Sequence, residues 1–139
     1  MAKTFQLEIV TPEKTALSAP VESVVLPGSE GDLGVLPGHM PLVTALKAGE
    51  LHFVRDGQPQ FLALSGGFAQ VTPSKVVVLA ETAEMASEID VHRAQMEAAA
   101  KGQKLKGGNL DPDQLAKVQA SLMKELVRMR VAEKAKRRN

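Results

Sequence analysis

The chain changes its composition abruptly near Ala86, and this limits what it can fold into more than any other feature. Seven of the eight Pro, eight of the eleven Gly and all four Phe of the 139 residues precede residue 87. Proline and glycine interrupt helices and populate turns, while Phe and β-branched residues favour pleated strands. A long helix is therefore excluded before Ala86. The last third is rich in Ala, Lys, Arg, Met and Gln, most of them strong helix formers. Charge divides at the same place, with five Lys/Arg against nine Asp/Glu in residues 1–86 and twelve against seven in residues 87–139. The net charge of +1 thus conceals an acidic part followed by a basic part.

Within the first part, Phe5, Leu7 and Ile9 alternate with Gln6 and Glu8, the period-2 pattern of a strand with one buried face. A turn at Thr11-Pro12-Glu13 follows, and Val21 to Leu26 is expected as another strand ended by Pro27-Gly28. Leu51–Arg55 and Gln60–Leu64 flank Asp56-Gly57, a pair that tolerates the positive φ of a tight hairpin. Phe68–Thr72 and Lys75–Ala80 flank Pro73-Ser74 in the same way. Many short strands without intervening helical patterns predict an all-β sandwich over residues 1–86.

Residues 87–139 follow a helical period. Ala94, Ala98 and Lys101, with Val91 and Met96, suit a helix with a narrow alanine face, stopping within Gly102–Gly108. A second helix starts with Asp111 as N-cap, Pro112 at the first helical position and Gln114 as the reciprocal acceptor of a capping box. Leu115, Val118, Leu122, Leu126 (or Glu125 in a strict heptad) and Met129 form its expected apolar stripe. Two helices joined by a short Gly-rich loop predict an antiparallel two-helix hairpin, a candidate moving part because it buries little by itself.

Composition removes several function classes. The chain has no Cys, so thiol chemistry and Cys-ligated metal sites are out. With no Trp or Tyr there is little from which to build base-stacking platforms, and nucleic acid is not an expected partner. His39, His52 and His92 lack metal-ligand spacing. Ser65-Gly66-Gly67 lacks a nucleophile elbow, and Gly28–Gly34 carries two acids and no Lys-Ser/Thr, so it is expected to be a loop of no phosphate-binding kind. No apolar run reaches the roughly 20 residues of a membrane span, and the start of the chain alternates like a strand where a signal peptide would be apolar. The segment Leu36–Leu42, with two prolines and apolar tips at Met40 and Leu42, is expected to be an ordered loop and a contact surface that includes His39.

The series Gly31-Asp32-Leu33-Gly34-Val35-Leu36-Pro37-Gly38-His39-Met40-Pro41-Leu42, then Leu64-Ser65-Gly66-Gly67-Phe68, Val76–Ala80, Ile89–Ala94 and Val131-Ala132-Glu133, closely resembles the epsilon subunits of F-type ATP synthases. The match runs over nearly the whole chain. It implies a β-sandwich followed by a helical hairpin in a non-catalytic central-stalk subunit of a proton-translocating enzyme. By resemblance, residues 1–86 bind the gamma shaft and sit on the membrane c-ring. Residues 87–139 regulate, extending toward the alpha and beta catalytic subunits to inhibit ATP hydrolysis. The implied location is peripheral, on the cytoplasmic face of a bacterial membrane, without insertion into it.

Ile89-Asp90-Val91-His92-Arg93-Ala94 matches the family's I/L-D-x-x-R-A motif, which in some bacterial members helps hold ATP on the folded hairpin. The resemblance adds Glu84 and Arg128, and therefore a regulatory ATP, though no required cofactor. One turn before Arg128, where the strongest ATP binders carry a second arginine, this chain has Lys124. Asp90 also suits a helix N-cap, with Arg93 exposed one turn later. Lys134, Lys136, Arg137 and Arg138 admit two readings, complement to a helix dipole or contact with an acidic partner. The rival from another class is a free-standing ATP-sensing module.

Overall fold

The computed structural model describes residues 3–137, with side chains through Lys134. Lys136, Arg137 and Arg138 of the basic cluster therefore lie outside the described side chains. Ten strands come first: β1 (Phe5–Val10), β2 (Thr15–Val21), β3 (Ser23–Gly28), β4 (Gly31–Val35), β5 (Leu42–Leu46), β6 (Gly49–Arg55), β7 (Gln58–Leu64), β8 (Gly67–Val71), β9 (Lys75–Ala80) and β10 (Ala83–Met85). A single 3₁₀ turn at Ala86–Glu88 leads to α1 (Val91–Lys106) and α2 (Pro112–Arg137). This is the β-sandwich followed by a helical hairpin that the sequence predicts.

Strand order is β10-β7-β6-β3-β5-β8-β9-β1-β2, with β4 on the side of β3. Pairing is antiparallel except between β1 and β9. The sheet folds over so that β2 packs back on β6. Its inner surface holds Leu7, Ile9, Val24, Leu26, Leu51, Phe53, Val76 and Val78, each 1% exposed or less. These are the period-2 positions, because alternate side chains point to opposite faces.

Local chemistry sets the turns and helix ends. Asp56 and Gly57 take φ of 53° and 75°, as the two-residue β6–β7 hairpin requires. Asp111 Oδ1 accepts from Gln114 N at 2.8 Å, and Gln114 Oε1 accepts from Asp111 N at 3.2 Å, a complete capping box at the start of α2. Helix α1 begins at Val91 because Asp90 Oδ1 accepts from Arg93 N at 3.1 Å, and it stops before Gly107 and the left-handed Gly108.

Three expectations are corrected. Val21–Leu26 is not one strand, since the chain turns at Glu22, whose Oε1 accepts from Gly57 N. Gly31–Val35 is not loop but strand β4, its glycine-containing sequence held by pairing with β3 from Val24↔Val35 to Gly28↔Gly31. The stripe on α2 is also different. Leu115 and Leu126 are exposed, whereas Glu125, Val127, Val131 and Ala132 are buried, because α2 packs on α1 along one side and on β7 along another.

Candidate functional site

The outer face of β6, β7 and β10 forms the seat of the hairpin. Register places Glu84 of β10 beside Ala63 of β7, and Ala63 beside Glu50 of β6, so that two carboxylates flank a small apolar residue in one row. The next row pairs Phe61 with His52. Ala63 and Phe61 join Ile89, Val127, Val131 and Ala132 in a buried cluster separate from the sandwich core. Helix α2 offers the complementary pattern, with Arg128 and Lys134 outside its buried valines. Lys134 Nζ donates to Glu50 Oε2 at 2.7 Å, and Arg128 Nη2 donates to Glu84 Oε2 at 3.1 Å. Arg128 Nε also lies 2.7 Å from Glu84 Oε1, close enough for an ion pair though its N–H is turned off the line to the oxygen.

Arg128 is the centre of a larger array. Its Nη1 donates to Glu125 Oε2 at 2.7 Å and lies 4.0 Å from Glu97 Oε2. Arg93 Nε donates to Glu97 Oε1 at 3.1 Å, and Lys101 Nζ donates to Glu125 Oε1 at 3.4 Å. Three cations (Arg93, Lys101, Arg128) thus meet three carboxylates (Glu84, Glu97, Glu125) where α1, α2 and β10 converge. Burial works against the Arg128 guanidinium, but hydrogen bonding and attraction from Glu84, then from Glu125, outweigh it and raise its pKa above the ordinary arginine value. The Arg93 hydrogen bond, followed by the interaction with Glu125, holds the Glu97 carboxyl below its usual 4.5.

The residues singled out for nucleotide divide into two groups. Glu84 and Arg128 meet directly, and Arg93 reaches Arg128 only through Glu97. Asp90 caps α1, Ala94 is fully buried at the alanine face, and Ile89 packs in the second cluster. Glu97 and Glu125 had no place among the predicted site residues. Their signal was present in the spacing, since Arg93–Glu97 is an i, i+4 pair and Glu125–Arg128 an i, i+3 pair.

The seat is imperfectly filled. A cleft of about 440 Å³ opens between α2 and the sheet, lined in part by Pro27, Lys47, Glu50, His52, Met123 and Arg130. Glu50 Oε1 and His52 Nδ1 are buried there without a hydrogen-bond partner. Such an atom costs about 1–3 kcal/mol relative to its hydrated state, so the docked hairpin is held less firmly than its ion pairs alone imply.

A second surface lies on the other layer. Ala45, Phe68, Leu79 and Val10 stand side by side across β5, β8, β9 and β1. Phe68 is 58% exposed, Leu79 54% and the nearby Val43 72%. Exposed apolar side chains in adjacent strands make a contiguous patch, the usual mark of a contact surface. Of the three residues first expected to make contact, Met40 is exposed, while His39 is half-buried with Nδ1 2.8 Å from the Met40 carbonyl oxygen. Leu42 is not a loop tip, because it begins β5 and packs against the core. Leu36, 64% exposed, extends this edge. Among the described residues no helix is long and apolar enough to cross a membrane.

Residues 4–86 match the family described as the beta-sandwich domain of the ATP synthase delta/epsilon chain. The ATP synthase epsilon chain of Desulforamulus reducens is 46% identical over 135 residues, covering 96% of this chain and all of that one. That of Nitratidesulfovibrio vulgaris is 45% identical over 131 residues, covering 94% and 97%. Among solved structures, a chain of the Euglena gracilis mitochondrial ATP synthase (OSCP/F1/c-ring, rotational state 1) shares the fold with a TM-score of 0.76 at 24% identity, covering 95% of this chain and 81% of its own.

Proposed function

Because this chain belongs to the ATP synthase epsilon chain family, we propose that it is a non-catalytic subunit of the rotor stalk that joins the gamma shaft to the c-ring and restrains ATP hydrolysis through its helical hairpin. The sandwich is the part that binds the rotor, and the apolar row Ala45–Phe68–Leu79–Val10 is the observation that carries this reading. A soluble protein working alone has no use for a large aromatic and two large aliphatic side chains standing in water on one sheet face, whereas a subunit clamped to a shaft does. Leu36 and Met40, beside the rigid Pro37 and Pro41, supply a second contact edge together with His39.

The hairpin is the regulatory part. Its seat is held by ion pairs and a small apolar cluster, and it contains three buried polar atoms without a hydrogen-bond partner (Glu50 Oε1, His52 Nδ1 and Arg128 Nε), so a partner with a modest preference for an extended form can shift the balance. Residues 1–86 and 87–139 then act as two functional units on the cytoplasmic face of the membrane. The free-standing nucleotide sensor is the weaker reading, since it leaves the apolar sheet face unexplained.

Replacing Phe68 and Leu79 by Asp places charge on side chains that the core does not use. The double variant should fold normally and fail to enter the gamma-containing complex. Normal incorporation of the folded variant would refute the assignment of this face. Deletion of residues 87–139 should raise ATP hydrolysis by the assembled enzyme, and an unchanged rate would refute the regulatory role.

A further inference from the structure

We propose that the hairpin of this chain is latched by its own carboxylates, with Glu97 and Glu125 standing on Arg93 and Arg128 where the resemblance would place a nucleotide phosphate, so that docking needs no ATP and the docked form does not admit it. The inference rests on reading the hairpin as a regulatory element and departs from the nucleotide site that the family resemblance implies.

Three observations carry it. The first is the use of the arginine donors. Nε, Nη1 and Nη2 of Arg128 all lie within 3.1 Å of carboxylate oxygens of Glu84 or Glu125, and Nε of Arg93 is taken by Glu97. Nη1 and Nη2 of Arg128 each spend an N–H on Glu125 or Glu84 while Nε faces Glu84 Oε1, so a phosphate taking this guanidinium in the two-pronged way must compete with those carboxylates.

The second is charge. Arg93, Lys101 and Arg128 are balanced one for one by Glu84, Glu97 and Glu125. A triphosphate entering this array meets carboxylates at every cation, and a like charge at such range opposes binding. Displacing Glu125 would not help, because its side chain is 9% exposed and would keep only Lys101, at 3.4 Å.

The third is space. The hollow beside Glu84, Lys124 and Arg128 measures about 20 Å³. Ligand pockets measure about 300–1,000 Å³, so the docked form holds no preformed nucleotide pocket at this point. Asp90, Ile89 and Ala94 are already engaged in capping and packing and offer no alternative wall.

The test uses the full chain. Since it has no native Cys, spin labels can be placed at the exposed Gln58 and Lys117 and the distance between sandwich and α2 read by electron–electron resonance, with and without Mg-ATP. Calorimetry with Mg-ATP runs in parallel. The expected result for the native sequence is a single docked distance, unchanged by millimolar ATP, with no binding heat. The Glu97→Gln, Glu125→Gln double variant leaves the three cations short of two charges. Its docked-to-undocked ratio should fall about tenfold without ATP, Mg-ATP should now bind, and binding should restore the docked distance.

An undocked native hairpin that closes on adding ATP would overturn the latch, as would a double variant equally docked and equally blind to ATP. If the variant loses helix content by circular dichroism, the titration of the native chain decides alone. Hydrolysis by the complex lacking residues 87–139 separates the two readings. Raised hydrolysis with an ATP-responsive native hairpin removes only the latch, and unchanged hydrolysis removes the regulatory role beneath it.

Discussion

Arg128→Ala is the perturbation that most directly probes how the hairpin is held. It removes the contacts to Glu84 at 2.7 and 3.1 Å and to Glu125 at 2.7 Å. The two acids left behind differ. Glu84, with a side chain 32% exposed, can be rehydrated, whereas Glu125, at 9%, is left with Lys101 alone. Breaking a fully buried pair costs about 3–5 kcal/mol, and an exposed one about 0.2–1 kcal/mol. Arg128 is 20% exposed, which puts the expected loss at about 2–3 kcal/mol. At 1.4 kcal/mol per factor of ten, that is a fall of about 30- to 140-fold in the docking equilibrium. Native-state hydrogen exchange reads this number locally. Amides of α1 and α2 should lose that much protection while those of β1, β8 and β9 keep theirs, because the two parts meet through the seat and not through the sandwich core. Helix protection unchanged within about threefold, or an equal loss in the sandwich, would refute the argument. Lys134→Ala serves as the contrast. Its side chain is 46% exposed, so the loss should stay below about 1 kcal/mol.

Three further outcomes follow from other parts of the molecule. The depressed pKa of Glu97 means that its folded-state anion is favoured, so its contribution to the hairpin is complete above the ordinary 4.5 and disappears as pH falls through the lowered value. Helix protection should be flat from about pH 6 to 8 and drop below about pH 4, with a shallower drop in Glu97→Gln. At Gly67 (φ +146°) a side chain would overlap the Leu79 carbonyl oxygen, so Gly67→Ala should cost the sandwich about 2–5 kcal/mol in thermal or urea unfolding. A chain ending at Ala86 keeps the whole sandwich core and should unfold in one cooperative transition, and loss of that transition would show that the sandwich depends on the hairpin.

The candidate site was legible in part. Glu84, Arg93 and Arg128 do lie in one connected array, but through Glu97 and Glu125, which resemblance did not single out. Glu125 was visible only as a misfit in a heptad. A carboxylate goes inside a helix interface when cations on other elements meet it there, and Lys101 on α1 is 24 residues away in the chain. The exposed Phe68 and Leu79 were equally hidden. Each sits in an ordinary strand pattern, and only the pairing of β8 with β9 brings them together on a face that stays exposed among the described residues.

Features set by neighbours in the chain were determined by the sequence itself. The capping box of Asp111 and Gln114, the Asp56-Gly57 hairpin, the glycine stop of α1 and the alternation of β1 each rest on a backbone preference or a bond spanning a few residues, so local composition is sufficient. What needed the tertiary structure was every choice among surfaces. Gly31–Val35, with its two glycines, became a strand because β3 offered it an unpaired edge. The buried side of α2 turned to Val127 and Val131 because the helix must serve α1 and the Phe61–Ala63 seat at once, and no single stripe can face two partners. Periodicity reports how much of a helix is apolar, while which side is buried depends on the shape and charge of what it meets, and that is assembled from strands far apart in sequence.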